Sequence, residues 1–436
     1  MNQAWLPDYI YTDGRFQSGR ALVCDQSGRI VEISDRVEGA VRLPGRAMLP
    51  GMVNAHSHAF QRVIRGRTEY RSQNTSDSFW TWREQMYAAA TTLTPEQIYS
   101  ASRLAFLEMA MSGITAVGEF HYIHHSPDGT PYSDPNLLAH EVIRAARDVG
   151  IRIALLRVAY ARAGYQVEPN PRQIRFIESE ETYLTNLDQL LSTIDTSDTS
   201  DGMAWAGIAP HSVRAVPLDY LKRIVAFANE RGLPVHMHVA EQPAEVTACI
   251  QEYGRSPVAL LDTEGLLSDR FTAVHAVHVT PKAVDALARS GAGVCACPTT
   301  ERNLGDGVVP ADLYFKSAVA VSLGTDSQIQ IDLLEDAREL EYHLRLQKME
   351  RNVLAAGDGT VATRLFDCAT VNGAKAIGFD GGKLEPGRPA DFFTVDLNDV
   401  SIAGWSLDNL LANIVFSLSR TAIRDVVVGG KELDLK

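Results

Sequence analysis

The sequence predicts an α/β fold: a (β/α)8 barrel joined to a small β-sandwich domain that both chain termini build. Three observations carry this prediction. From Gly51 onward, short apolar β-branched segments alternate with longer amphipathic ones, the pattern of a parallel sheet covered on its faces. Histidine and aspartate recur near the ends of these apolar segments, where a barrel gathers its functional side chains. The two chain ends read differently, as short strands with too few members at either end for a core of their own.

In chain order, residues 1–50 hold β-like runs turned by Asp13-Gly14 and Ser27-Gly28, which are hairpin signals. Barrel strands are predicted over 51–58, 114–120, 151–160, 204–210, 233–240, 271–279, 292–297 and 318–325. Amphipathic helical patterns fall between them at 95–111, 137–149, 218–231 and 281–289. Eight such units over about 310 residues fit a barrel with insertions. An open doubly wound sheet is the alternative, but no Gly-x-Gly-x-x-Gly follows the first strand. Two stretches, 59–94 and 161–180, read as long βα loops, and loops of that length are usually functional or disordered. Residues 196–201 are a polar connector. Near the other end, 382–396 and 425–430 return to β character, so the small domain is expected from 1–50 plus 375–436 and the barrel from 51–374.

The 436 residues are 45% hydrophobic and 22% charged, a globular composition. The opening residues have no basic region or apolar core, so no signal peptide is expected, and no apolar run is long enough to cross a bilayer. Five scattered cysteines argue against a disulfide framework, and a cytoplasmic protein is expected. A net charge of −13 speaks against nucleic acid, which needs basic surface, and against an anionic membrane. One basic island stands out: Arg62, Arg65, Arg67, Arg71 and Arg83, accompanied by only Glu69 and Asp77. It could grip an anionic substrate or simply form salt bridges on a solvated loop.

The run Met48-Leu-Pro-Gly-Met-Val-Asn-Ala-His56-Ser-His58 ends in two histidines one residue apart. On a strand, side chains at i and i+2 share a face, so the two imidazoles converge as metal ligands do. His238 lies late in strand five, His275 in strand six, and Asp326 closes strand eight. A buried His or Asp is costly unless paired or metal-bound. The predicted ligands are His56, His58, His238 and Asp326, a donor set suited to Zn2+, with Fe2+ as the second option. One ion is expected, because the first lysine is Lys222 and no carboxylated lysine can bridge two ions from the early strands; Glu119 is the remaining bridging candidate. His236, deeper on the face of His238, reads as core or as a support behind the ligands, and His278 should face away.

Such a site activates water near neutral pH. Asp326 can touch the metal and take a proton from the water. Glu241, three residues past His238, can carry a proton to a leaving nitrogen, or can be a mere helix N-terminal charge. His275 can hydrogen-bond the attacking oxygen or the tetrahedral centre. Other hydrolytic signatures, Gly-x-Ser-x-Gly and His-Glu-x-x-His, are absent, and so is the Pro-Cys-x-x-Cys of the nucleobase-editing deaminases. Cys295 and Cys297 read as core packing.

Together, Pro50-Gly-Met-Val-Asn-Ala-His-Ser-His58, His238-Val-Ala-Glu241, His275, Gly324-Thr-Asp326-Ser and Leu384-Glu-Pro-Gly-Arg-Pro-Ala-Asp391 resemble the amidohydrolase superfamily over essentially the whole chain. His238-x-x-Glu241 is similar to its mononuclear deaminase branch. Gln61-Arg-Val-Ile-Arg-Gly-Arg-Thr-Glu69, Ser78-Phe-Trp-Thr-Trp-Arg-Glu-Gln-Met-Tyr87 and Glu119-Phe-His-Tyr-Ile-His-His125 resemble the formimidoylglutamate deiminases. The resemblance implies hydrolysis of N-formimidoyl-L-glutamate to N-formyl-L-glutamate and ammonia, in histidine breakdown. It also implies that Gln61, Arg83, Tyr122, His211 and Arg214 contact the glutamate part of this small anionic, amino-acid-derived substrate. Arginine's planar fork suits a carboxylate better than lysine's point charge. A deaminase of purine or pyrimidine rings is the alternative, and a homodimer is the expected assembly.

Overall fold

In the computed structural model, residues 2–35, 37–71, 78–196 and 202–435 are described; most of the polar connector, 197–201, lies outside them. Eight parallel strands form the barrel: β1 (Met52–Ser57), β2 (Ile114–His121), β3 (Arg152–Ala159), β4 (Ala204–Pro210), β5 (Val235–Val239), β6 (Phe271–His275), β7 (Gly293–Ala296) and β8 (Val321–Leu323). Each pairs with its neighbours in sequence order. Apart from Gly293 at the start of β7 and Trp205 in β4, their residues are buried, as expected for strands under a coat of helices.

The ring closes through the backbones of the predicted ligands. His58 N–H donates to Asp326 O at 3.0 Å, and Asp326 N–H donates to His56 O at 3.1 Å. Gly324 permits this approach, since a Cβ there would lie 2.7 Å from His56 Cβ and 2.9 Å from His56 O.

Six strands stop earlier than the hydrophobic pattern suggests, β6 by four residues, β8 by two and β1, β3, β5 and β7 by one. β5 ends at Val239, β6 at His275 and β8 at Leu323, because the chain turns left-handed at Ala240 (φ 52°), His275 (φ 67°), Ala276 (φ 48°) and Asp326 (φ 46°). Left-handed backbone is costly for residues with a Cβ and clusters at functional sites. The expected helices are present as Pro95–Ala110, Leu137–Val149, Leu218–Arg231 and Pro281–Ser290. The first starts from a reciprocal Thr94–Gln97 cap with Pro95 in its opening turn, a strong start signal. The stretch 59–94 is a loop only in part: it contains a 3-10 turn, Ala59–Ile64, and an α-helix, Phe79–Ala90.

Strands from both termini build the second, mixed sheet. Gln3–Thr12 pairs with Val41–Pro50, which pairs with Phe392–Asp396, which pairs with Ile423–Val428. The sheet returns on itself where Ile30 N–H donates to Arg388 O and Ala390 N–H to Gly28 O, both at 2.8 Å. Trp5, Ile10, Leu22, Met48, Phe392 and Val427 form a buried apolar cluster of its own. Asp391 ties this sheet to the barrel by a buried two-bond pair with Arg152 of β3, at 2.7 and 3.0 Å. All five cysteines are buried and unbridged. Among the described residues no helix is long and apolar enough to cross a membrane.

Candidate active site

At the C-terminal mouth of the barrel, ligand atoms of His56, His58, His238 and Asp326 lie within 4.8 Å of one another. His56 Nε2 is 3.2 Å from His238 Nε2 and 3.5 Å from Asp326 Oδ1, and His58 Nε2 is 3.3 Å from that same oxygen. Two ligands about 2.0–2.1 Å from a tetrahedral ion stand roughly 3.3 Å apart, so these separations match the edges of a zinc-sized tetrahedron. The tautomers agree. His58 Nδ1 donates to Phe120 O at 2.9 Å and His238 Nδ1 to His211 O at 3.1 Å, which leaves both Nε2 lone pairs facing the common point, as in metal-binding histidines. Burial pushes His56 down to about 3 and lowers His58 and His238 as well, so the rings are neutral as ligands must be. Burial works to raise the Asp326 carboxyl, but His56, His275 and His58 around it hold it well below the usual range.

The bridging candidate Glu119 does not join this group. Its carboxylate accepts from Ser57 Oγ at 2.5 Å and from Ala59 N at 2.7 Å, and so holds the end of β1 in place. His236 is core, with Nε2 bonded to Ala376 O, and His278 bonds Asp306 O. Both sit apart from the ligand group, as their register predicts.

Glu241 and His275 complete the centre. His275 Nε2 stands 3.6 Å from Glu241 Oε1 and 3.6 Å from Asp326 Oδ2. Burial lifts Glu241 to about 7, which suits proton exchange near neutrality. The helix-terminal role belongs instead to Glu245, whose oxygens accept the Ala240 and Glu241 N–H groups at 3.2 and 3.1 Å. Burial would lower His275, but Glu241, Glu301 and Asp326 around it raise it well above the ordinary value.

A cavity opens over the centre, and Gln61, Arg83, Tyr122, His211, Arg214 and Glu241 all line it. Gln61 Nε2 donates to Tyr122 Oη at 3.0 Å while its own Oε1 stays unpartnered. Arg214 donates to Ala163 O at 2.7 Å. The Arg83 guanidinium lies 4.4 Å from the Trp80 ring centre, with its buried Nε unpartnered. The basic island needs correction, for Arg83 alone of its five members lines the cavity. Arg62 and Arg65 are bound to Glu108 at 3.1 and 2.9 Å, and Arg67 and Arg71 are exposed. Glu108 comes from the helix Pro95–Ala110, which the loop's own composition does not reveal.

Several supporting residues escaped the sequence reading. Gln328 Nε2 donates to Ser57 Oγ at 2.8 Å and to Asp326 O at 3.0 Å, while Asn54 bonds Thr325 from across the closure. Gln173 Nε2 donates to Tyr87 and Tyr160 Oη at 2.8 and 2.7 Å, joining the two long loops. Glu301 accepts from His275 Nδ1 at 3.2 Å. An acid one turn past the end of β7, in Cys297-Pro-Thr-Thr-Glu301, was the one available signal.

Fold and site together define a (β/α)8 hydrolase with a group of three histidines and one aspartate that could hold a metal ion. The amidohydrolase family model matches residues 47–433, and the chain belongs to that family. It is 41% identical to formimidoylglutamate deiminase from Pseudomonas aeruginosa, over 90% of this chain and 86% of that one. It is 28% identical to 5-methylthioadenosine/S-adenosylhomocysteine deaminase from Halobacterium salinarum, over 98% and 90% of the two chains. The crystal structure of an amidohydrolase from Brucella melitensis superposes with a TM-score of 0.90 at 34% identity, covering 99% of this chain and 94% of that one. The protein is therefore a hydrolase of carbon–nitrogen bonds other than peptide bonds, of the deiminating kind.

Proposed function

We propose that this protein hydrolyses N-formimidoyl-L-glutamate to N-formyl-L-glutamate and ammonia in histidine degradation, with one zinc ion per chain. One observation carries the reading. A single cavity holds a buried acid–histidine centre at its floor and two arginines, Arg83 and Arg214, on its wall. A small dicarboxylate with one amidine-like carbon matches both ends, and the identity to the Pseudomonas enzyme supports that match. The cytoplasm and a homodimeric state complete the proposal.

His56, His58, His238 and Asp326 would hold the ion, which when bound supplies Lewis acidity and a lowered water pKa. Gln61, Tyr122, His211 and the two arginines bind and orient the glutamate part, the arginines by paired bonds to carboxylates. Glu241 takes one proton from the attacking water at its carboxylate and passes it to the imino nitrogen, making an amino group. The second proton, from the hydroxyl of the tetrahedral carbon, reaches the same nitrogen as the C–N bond breaks and the C=O forms, so that it departs as ammonia. His275 directs Nε2 at the same point and hydrogen-bonds the oxygen of the tetrahedral carbon. Asp326 Oδ2, facing His275 at 3.6 Å, serves as the second proton holder.

Ammonia release from N-formimidoyl-L-glutamate, measured beside guanine, adenosine and cytosine, tests the proposal. Preferential turnover of the formimidoyl compound is expected. Preference for a neutral ring would replace this reading with a ring deaminase.

A further inference from the structure

Behind His275, on the side away from the cavity, sits a carboxylate for which the proposed reaction has no step. Glu301 belongs to the short helix Pro298–Leu304 that follows β7, and it is 1% exposed. Its Oε1 accepts two bonds, from Cys297 N–H at 2.9 Å and from His275 Nδ1 at 3.2 Å. Its Oε2 is buried without a partner. Holding up a helix start would require only one neutral acceptor, and a buried carboxylate is costly unless something compensates for it. The His275 ring is that compensation. His275 is the last residue of β6 and has left-handed backbone, φ 67°, followed by Ala276 at φ 48°, so the regular strand pleat does not set the direction of its ring.

We infer that Glu301 is a positioning residue for the deimination, fixing the proton of His275 on Nδ1 so that all proton exchange by this ring occurs at Nε2. The geometry leaves Nε2 3.6 Å from both Glu241 Oε1 and Asp326 Oδ2, and Glu301 touches none of the four metal-ligating side chains. Carboxylate partners of this kind set histidine tautomer and orientation. This inference rests on the role proposed for His275. A rival arrangement exists, because ligand atoms of His275, Cys297 and Glu301 also lie within 4.8 Å of one another. A second metal ion there would have to replace the His275–Glu301 hydrogen bond with a bond to Nδ1.

The test compares the wild type with Glu301→Gln and Glu301→Ala. Expected for Glu301→Ala are a kcat lowered about 10–100-fold, the range for partners standing behind reacting groups, a KM within about threefold, and unchanged metal content; Glu301→Gln, whose amide oxygen still accepts from Nδ1, should lose less. A kcat equal to wild type in Glu301→Ala would overturn the inference, as would an effect confined to KM or to metal content. In parallel, 15N spectra of histidine-labelled wild type, with His275 assigned through a His275→Asn variant, should show a protonated Nδ1. An unprotonated Nδ1, or two equivalents of zinc with one lost in Glu301→Gln, would overturn it in favour of a second metal centre. If wild type fails to turn over N-formimidoyl-L-glutamate, the proposed function falls, while the spectra and the metal analysis still decide the role of Glu301.

Discussion

The floor of the cavity and its wall are built in different ways. The floor sits on strand ends, and its side chains are braced from behind: Glu119 on Ser57, Gln328 on Ser57 and Asp326, and backbone carbonyls on His58 and His238. The wall is carried by loops. Arg83 rests on Trp80 within the helix Phe79–Ala90. That helix is moored to the third βα loop by Gln173, by Arg172–Glu84 at 2.8 Å, and by Arg175 Nη1 bonding the carbonyls of Ala90 and Leu93. Chemistry that must be held to fractions of an ångström belongs on the sheet, whereas recognition rides on segments that change without disturbing the barrel. Damage to the two regions should therefore look different.

The largest separation is expected inside the floor. His238→Ala should lose both bound metal and turnover, whereas Glu241→Gln should keep its metal and lower kcat by about 10²–10⁴-fold. Metal analysis beside steady-state kinetics checks the pair. Equal metal loss in both variants would make Glu241 a ligand.

The mooring of the wall comes next. Arg157 on β3 grips Glu178 at 2.5 and 3.0 Å in full burial, at the root of the third βα loop. Glu178→Gln leaves that arginine unpaired and should cost about 3–5 kcal/mol at pH 7, read by chemical denaturation. Burial works to raise the Glu178 carboxyl, but His124 and Arg157 beside it bring it down to about 2. A depressed acid contributes stability that is complete above its ordinary pKa, near 4.5, and fades as pH falls toward 2. The gap between wild type and variant should close over that window and stay constant above it.

Arg83→Lys should give the smallest effect and the clearest mark of the wall. The charge survives but the planar fork is lost, so KM should rise about tenfold, near the low end of a charged hydrogen bond's worth, while kcat holds within about threefold. An unchanged KM would release Arg83 from substrate contact; a collapse of kcat instead would mean that wall and floor are coupled.

The sequence by itself made legible the barrel, the β-domain shared by the termini, and the four residues that gather into a metal-capable group. These rest on local rules: apolar runs of strand length, the period of two that puts His56 and His58 on one face, and the placing of functional groups at strand ends. It determined less of the wall. The five arginines of the first loop look alike in sequence, and only the packing of the helix Pro95–Ala110 decides that Glu108 takes two of them while Arg83 turns into the cavity. Likewise Glu301, Gln328 and Gln173 act across 26, 271 and 86 residues of chain. Pairings at such distances leave no periodicity, because they depend on which buried polar atoms folding brings together and leaves to be satisfied.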